Sequence, residues 1–191
     1  MGKSGKTNRA KPTYLKWIDQ FPGCAEIFQK AGWLDFFKKI DSYNTEVSYK
    51  FAQCYNQDMV VFDILKFKLT VELVVEATRV RNEGEMWFKK FPFTFNPERY
   101  ILPGITPDWS KGILIQNFRE EWVEPIKVLQ SYITCKGRYA YVFKYHFRFL
   151  QHLVDESKMS RPFFLFKILQ KMSSRVKGHQ AHTHSQFSIM V

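Results

Sequence analysis

The sequence predicts a mainly α fold, with α+β as the alternative: one compact helical domain, a short β element near residues 60–69, and disordered basic ends. Three observations carry this. Apolar residues recur at helical spacing along much of the chain. Hydrophobic residues make up 45% and aromatic residues 17% of 191 positions, enough to fill a core without disulfides or a structural metal. The basic excess, by contrast, is gathered at the two ends.

Each element has a local reason. Helical spacing over Ala25–Ile40 is interrupted at Gly32, with Ile27, Ala31 and Leu34 on one stripe and Phe36, Phe37 and Ile40 beyond it. Asn44 is placed as the N-cap of a helix over Thr45–Tyr55, where Val47, Phe51 and Cys54 or Tyr55 share a face. Leu65, Phe67 and Leu69 alternate as the inward side of a short half-buried strand. Thr70 then caps a helix over Val71–Val80, whose Glu72 suits the positive helix start. From Arg81 to Asn117 prolines and glycines are dense, predicting a long irregular connection held down by Trp87, Phe91, Phe93, Phe95 and Trp109.

A further helix is expected over Arg119–Ile133, carried by Trp122, Ile126, Leu129 and Ile133, with Pro125 in its first turn. Residues 139–154 satisfy two periods at once. Tyr139, Tyr141, Phe143, Tyr145, Phe147 and Phe149 alternate like a strand, while Phe143, Phe147, Leu150 and Val154 share a helical face. Helix is the preferred reading, and helix or strand stays open for 139–149. Last comes a helix capped by Ser160, with Pro162 in its first turn and Gly178 at its end. Its stripe is Phe164, Ile168 and Met172, with Leu165, Leu169 and Val176 beside it. The expected organisation is a disordered basic arm over 1–12, a globular domain over 13–177 and a frayed His-rich tail over 178–191.

The net charge is +11, which points to polyanionic partners. Lys3, Lys6, Arg9 and Lys11 precede the domain without an acid, and Lys171, Arg175 and Lys177 follow Gln170 without one. These seven are the predicted nucleic-acid contacts. Arg138, Lys144 and Arg148 are secondary candidates, because aromatic residues interleave with them over 136–148 as in surfaces that stack bases.

Catalytic chemistry finds no support. Gly5-Lys6-Thr7 imitates the end of a phosphate-binding loop but lacks the preceding strand and glycine. His179, His182 and His184 have no carboxylate or thiol beside them, so no metal or other cofactor is expected. His146 and His152 read as core histidines that donate one hydrogen bond. Glu120-Glu121 reads as a solvated helix start, and no nucleophile elbow or Tyr-x-Asp-Asp run is present. The expectation is no enzyme and no small-molecule substrate. Cys24, Cys54 and Cys135 have no paired spacing and read as reduced thiols. No apolar run reaches the ~20 residues of a membrane helix, and the polar start is unlike a signal peptide. No membrane partner is expected, and the location is nuclear or cytoplasmic, not secreted.

Several runs carry a resemblance. They are Ala31-Gly32-Trp33-Leu34-Asp35-Phe36-Phe37, Glu46-Val47 with Phe51-Ala52, Phe67-Lys68-Leu69-Thr70 before Glu72 and Ala77-Thr78, and Gly84-Glu85-Met86-Trp87-Phe88-Lys89. Tyr145-His146 with Phe149-Leu150, and Pro162-Phe163-Phe164-Leu165 with Leu169-Gln170-Lys171-Met172, extend it. Over about residues 25–177 the chain resembles a plant-specific family of transposon- or retrotransposon-derived proteins. The resemblance rests on packing positions and brings no catalytic set. It implies a mobile-element origin, with the His-rich tail as a shortened or altered ending. The expected function is a non-enzymatic binding protein with low-specificity nucleic-acid contact through basic termini. The alternative is a protein-interaction or regulatory module with a basic nuclear-import arm, and a third reading is a degenerate transposase or nuclease fragment.

Overall fold

The computed structural model describes residues 9–10, 22–39, 43–44, 50–51, 53–56, 58–91, 95–134, 140–155 and 158–173. Helices and small antiparallel sheets are mixed along the chain. Arg9–Ala10 (β1) pairs antiparallel with Tyr43–Asn44 (β2), so the predicted arm contains a strand; the Asn44 side chain and the helix start expected at Thr45 lie outside the described residues. Pro22–Lys30 (α1) and Leu34–Lys39 (α2) are separated where expected. Gly32 takes φ +73°, its amide donates to Gln29 O at 2.9 Å, and Trp33 N donates to Phe28 O at 2.9 Å. That pair of bonds satisfies the last carbonyls of α1 and needs glycine's left-handed freedom. The buried positions are Cys24, Phe28, Trp33, Phe36 and Phe37, whereas Ile27, Ala31 and Leu34 are only half-buried. Ile40 and Val47 lie outside the described residues.

The helix expected to reach Tyr55 stops one residue sooner, at Cys54. Tyr55–Asn56 (β3), Met59–Phe62 (β4) and Leu65–Lys68 (β5) form an antiparallel meander in that order. Tyr55 pairs with Val60, which pairs with Phe67, and Tyr55 and Val60 are buried. The inward row holds at Leu69, thins at Phe67 and fails at Leu65, which is 56% exposed because the hairpin reaches past the body. Gln170 Nε2 donates to Asp58 Oδ2 at 2.7 Å and ties the hairpin base to the last helix.

Val71–Thr78 (α3) begins as predicted. Thr70 Oγ1 accepts from Leu73 N at 3.3 Å, and bonds from its own amide and from Thr70 hold the Glu72 carboxyl below the usual range. The irregular connection follows, with Trp87 buried and Phe91, Phe95 and Trp109 packed together; Phe93 lies outside the described residues. Ile113–Leu114 (β6) pairs with Tyr141–Val142 (β7). Glu120–Val128 (α4) continues as a π-turn over Leu129–Ile133, closed by Thr134 N donating to Leu129 O. Pro125 is the sixth residue of α4, not in its first turn. The amide it lacks would have met the carbonyl of Glu121, an exposed residue.

Lys144–Asp155 (α5) resolves most of the ambiguous stretch as helix, with strand only at Tyr141–Val142; Tyr139 lies outside the described residues. Every residue from Tyr145 to Leu153 is buried, which makes α5 the centre of the core. Arg161–Ser173 (α6) has its predicted cap, Ser160 Oγ accepting from Phe163 N at 3.2 Å. Gly178, Val176 and the Met172 side chain lie outside the described residues. Among the described residues no helix is long and apolar enough to cross a membrane. Phe164 and Ile168 are buried on α6, so Ile168→Ala should lose about 2–5 kcal/mol through lost transfer energy and a cavity. An unchanged thermal midpoint would contradict that packing.

Candidate nucleic-acid interface

Helices α5 and α6 lie against each other with opposite chain direction. Tyr145 at the start of α5 sits under Lys171 near the end of α6, and Phe149 meets Phe164 further along. This brings two sequence-distant basic residues to one end. Lys171 Nζ is 3.8 Å from the Tyr145 ring centroid and 5.5 Å from that of Phe143. Lys144 Nζ is 4.8 Å from the Phe91 ring, which itself stacks on Phe95 with centroids 3.9 Å apart. Tyr145 is backed by Phe88, with centroids 5.1 Å apart and planes 13° from parallel. One turn earlier on α6, Lys167 Nζ donates to Gln170 Oε1 at 2.7 Å and lies 5.4 Å from the Phe163 and Phe166 rings.

A ring face orients an ammonium without cancelling its charge, unlike a carboxylate. Helix α6 carries no acid, and the only acid of α5, Asp155, lies at its opposite end, 3.5 Å from Arg99, while Asp58 of the hairpin base accepts from Gln170, the residue before Lys171. The N-terminal dipole of α5 adds positive potential beside Lys144.

The other predicted contacts divide. Lys3, Lys6, Lys11, Arg138, Arg175 and Lys177 lie outside the described residues, and of Arg9 only the backbone is described. Chain connectivity alone attaches Arg175 and Lys177 to the end of α6 that carries Lys171. Arg148 is a correction: it belongs to the core, not to a surface. It is 8% exposed, its guanidinium lies 3.8 Å over Trp87, and Nη1 donates to Gln151 Oε1 at 2.5 Å. Burial lowers its pKa while Glu85 and Asp155 oppose the shift, and Nε is buried without a hydrogen-bond partner. The residue lies one turn from Lys144, but on a helix that is covered on every side.

The core histidines are buried as expected. His146 Nδ1 accepts from Phe143 N at 2.9 Å, so the neutral ring carries its proton on Nε2, which faces Thr134 Oγ1 at 3.1 Å. His152 Nε2 accepts from the Trp33 indole N–H at 3.3 Å, which leaves its proton on Nδ1. Glu120 and Glu121 are the exposed first turn of α4. Among the described residues no group of three or more His, Cys, Asp and Glu side chains could hold a metal. Cys24 and Cys54 are free thiols, and Cys135 lies outside the described residues.

The thiols give a direct check on the core. Burial, with the Glu124 carboxylate adding to it, pushes the Cys24 thiol up to about 12. The thiolate is the nucleophile, so at pH 8 iodoacetamide should label half-buried Cys54 and leave Cys24 unmodified. Rapid labelling of Cys24 by peptide mass mapping would contradict its packing.

The fold and this end define a mixed helix-and-sheet protein in which Lys144 and Lys171 lie over aromatic rings. Comparison with protein-family models, curated proteins and solved structures finds no match.

Proposed function

We propose that the chain is a non-enzymatic nuclear binding protein of mobile-element origin that contacts nucleic acid with low sequence specificity. In this reading a mainly helical domain over 13–177 is flanked by basic ends. Those ends, Lys3, Lys6, Arg9 and Lys11 before it and Lys171, Arg175 and Lys177 after it, meet phosphates. The observation that supports the reading is the end where Lys144 and Lys171 are held on aromatic rings. Lysines on ring faces can turn to phosphate oxygens, and such contacts carry affinity without sequence information.

A salt titration on two unrelated duplexes tests this. If the seven cations neutralise seven phosphates, log K falls with log salt at a slope of about −6, from ~0.9 per phosphate. Changing Lys3, Lys6, Arg9 and Lys11 to Gln should shallow the slope to about −3 on both duplexes. Substitution is preferable to deletion because the Arg9–Ala10 backbone pairs with β2. An unchanged slope overturns the role of the arm. No binding at low salt favours the protein-interaction module. Plasmid cleavage in Mg²⁺ that one carboxylate substitution abolishes favours the transposase or nuclease fragment.

A further inference from the structure

At the tip of the β4–β5 hairpin, apolar side chains stand in water. Ile64 is fully exposed, and Leu65, Val61 and Phe62 are 56%, 49% and 37% exposed. Asp63 interrupts them and turns the chain with φ +48°. Two-residue hairpin turns favour Asn, Asp and Gly, which Asp63 satisfies and Ile64 does not. The adjoining strand β5 is the outermost of its sheet, and its Lys66 and Lys68 are exposed. In an antiparallel ladder every second residue aims its N–H and C=O away from the neighbouring strand, so among the described residues β5 presents an unpaired edge.

Register sorts the side chains. Phe62 opposes Leu65 and Val60 opposes Phe67, whereas Val61 opposes Lys66 and Met59 opposes Lys68. One face therefore runs apolar from buried Val60 out to exposed Leu65, and the other carries both lysines. The hairpin base is braced on α6 through the Asp58–Gln170 bond.

We propose that the β5 edge and hairpin tip dock an extended segment of a partner protein that alternates acidic and apolar residues. The segment adds as a further strand, so the main chain supplies hydrogen bonds and the alternation supplies specificity. Its apolar side chains extend the Leu65–Phe67 face, and its acids meet Lys66 and Lys68. A second copy fits poorly, because β5 against β5 sets lysines near lysines, a common guard against edge self-pairing. A bilayer fits poorly because Asp63 would have to enter with Ile64. The site is separate in sequence from Lys144 and Lys171, so it stands or falls independently of the nucleic-acid reading.

The test is fluorescence anisotropy with the full chain and a labelled octapeptide alternating Glu and Val, against one alternating Lys and Val. The acidic peptide should bind about tenfold or more tightly. Lys66→Glu with Lys68→Glu should invert the preference, and N-methylation of alternate peptide amides should abolish binding. All the substituted side chains are exposed, and circular dichroism confirms that the variants fold. Absent binding, equal binding of both peptides, indifference to N-methylation or indifference to the lysine changes overturns the proposal. So does dimerisation lost in Ile64→Ser, which assigns the tip to a second copy. Ile64-dependent capture on phosphatidylcholine vesicles with a quarter phosphatidylserine overturns it in favour of a bilayer.

Discussion

Replacing Phe149 by Ala should lower folding stability by about 3–5 kcal/mol. Phe149 is fully buried, with ring centroids 5.1 Å from Trp33, 5.3 Å from Phe164 and 6.2 Å from Phe28. Its neighbours come from α1, the α1–α2 junction and α6, so no single element can move to close the space. Trp33 is also pinned by its indole bond to His152, which limits relaxation further. The cost therefore includes both the lost transfer energy of the ring and most of a cavity. Urea unfolding should show a lower midpoint at an unchanged slope. Val61→Ala, at the exposed tip, should change stability by less than about 0.5 kcal/mol. Similar losses in both variants would mean that Phe149 is not where the core is closed.

The same helix shows where sequence reading stops. Residues two apart on a helix point to nearly opposite sides. Phe147 packs on Phe95, Tyr100, Trp109 and Phe118, and Phe149 packs on Phe28, Trp33 and Phe164. The strand-like alternation is thus the two-sided packing of a central helix, and a helix buried all round has no polar face to reveal its period. Arg148 reads as a surface cation for the same reason, since interleaved aromatics look alike whether they face solvent or core. Thr70 and Ser160 are legible because a cap is a local device of three or four residues. Tyr55 is not, because a buried tyrosine suits a helix end and a strand equally. Lys144 and Lys171 are each visible as basic residues, but their meeting depends on the antiparallel approach of α5 and α6, a tertiary fact. The Gly84–Lys89 run stands out in the sequence as a motif, and packing accounts for several of its members. Trp87 carries Arg148, and Phe88 backs Tyr145.

Gly84 itself carries the second large expected effect. It holds φ +96°, and a Cβ there would lie 2.3 Å from the Lys158 carbonyl oxygen and 2.7 Å from Met159 N. Both are backbone atoms, so no side-chain rotation can relieve the clash. At this crossing Glu85 N donates to Lys158 O at 2.9 Å and Ser160 N donates to Glu85 O at 3.0 Å. Ser160 caps α6 and also donates through Oγ to Asn82 Oδ1 at 2.6 Å, so the crossing fixes where α6 begins. Gly84→Ala should therefore cost about 1–3 kcal/mol in left-handed backbone strain. Displacing the two crossing bonds should add about 1–3 kcal/mol. Gly104→Ala separates the contributions, because Gly104 has φ +81° and a Cβ there would meet nothing within 4 Å. It should show the strain alone. Chemical denaturation of the two variants measures the difference, which is the cost of forcing the crossing apart. Equal losses would show that the 158–160 segment yields freely and that α6 is positioned by its apolar face alone.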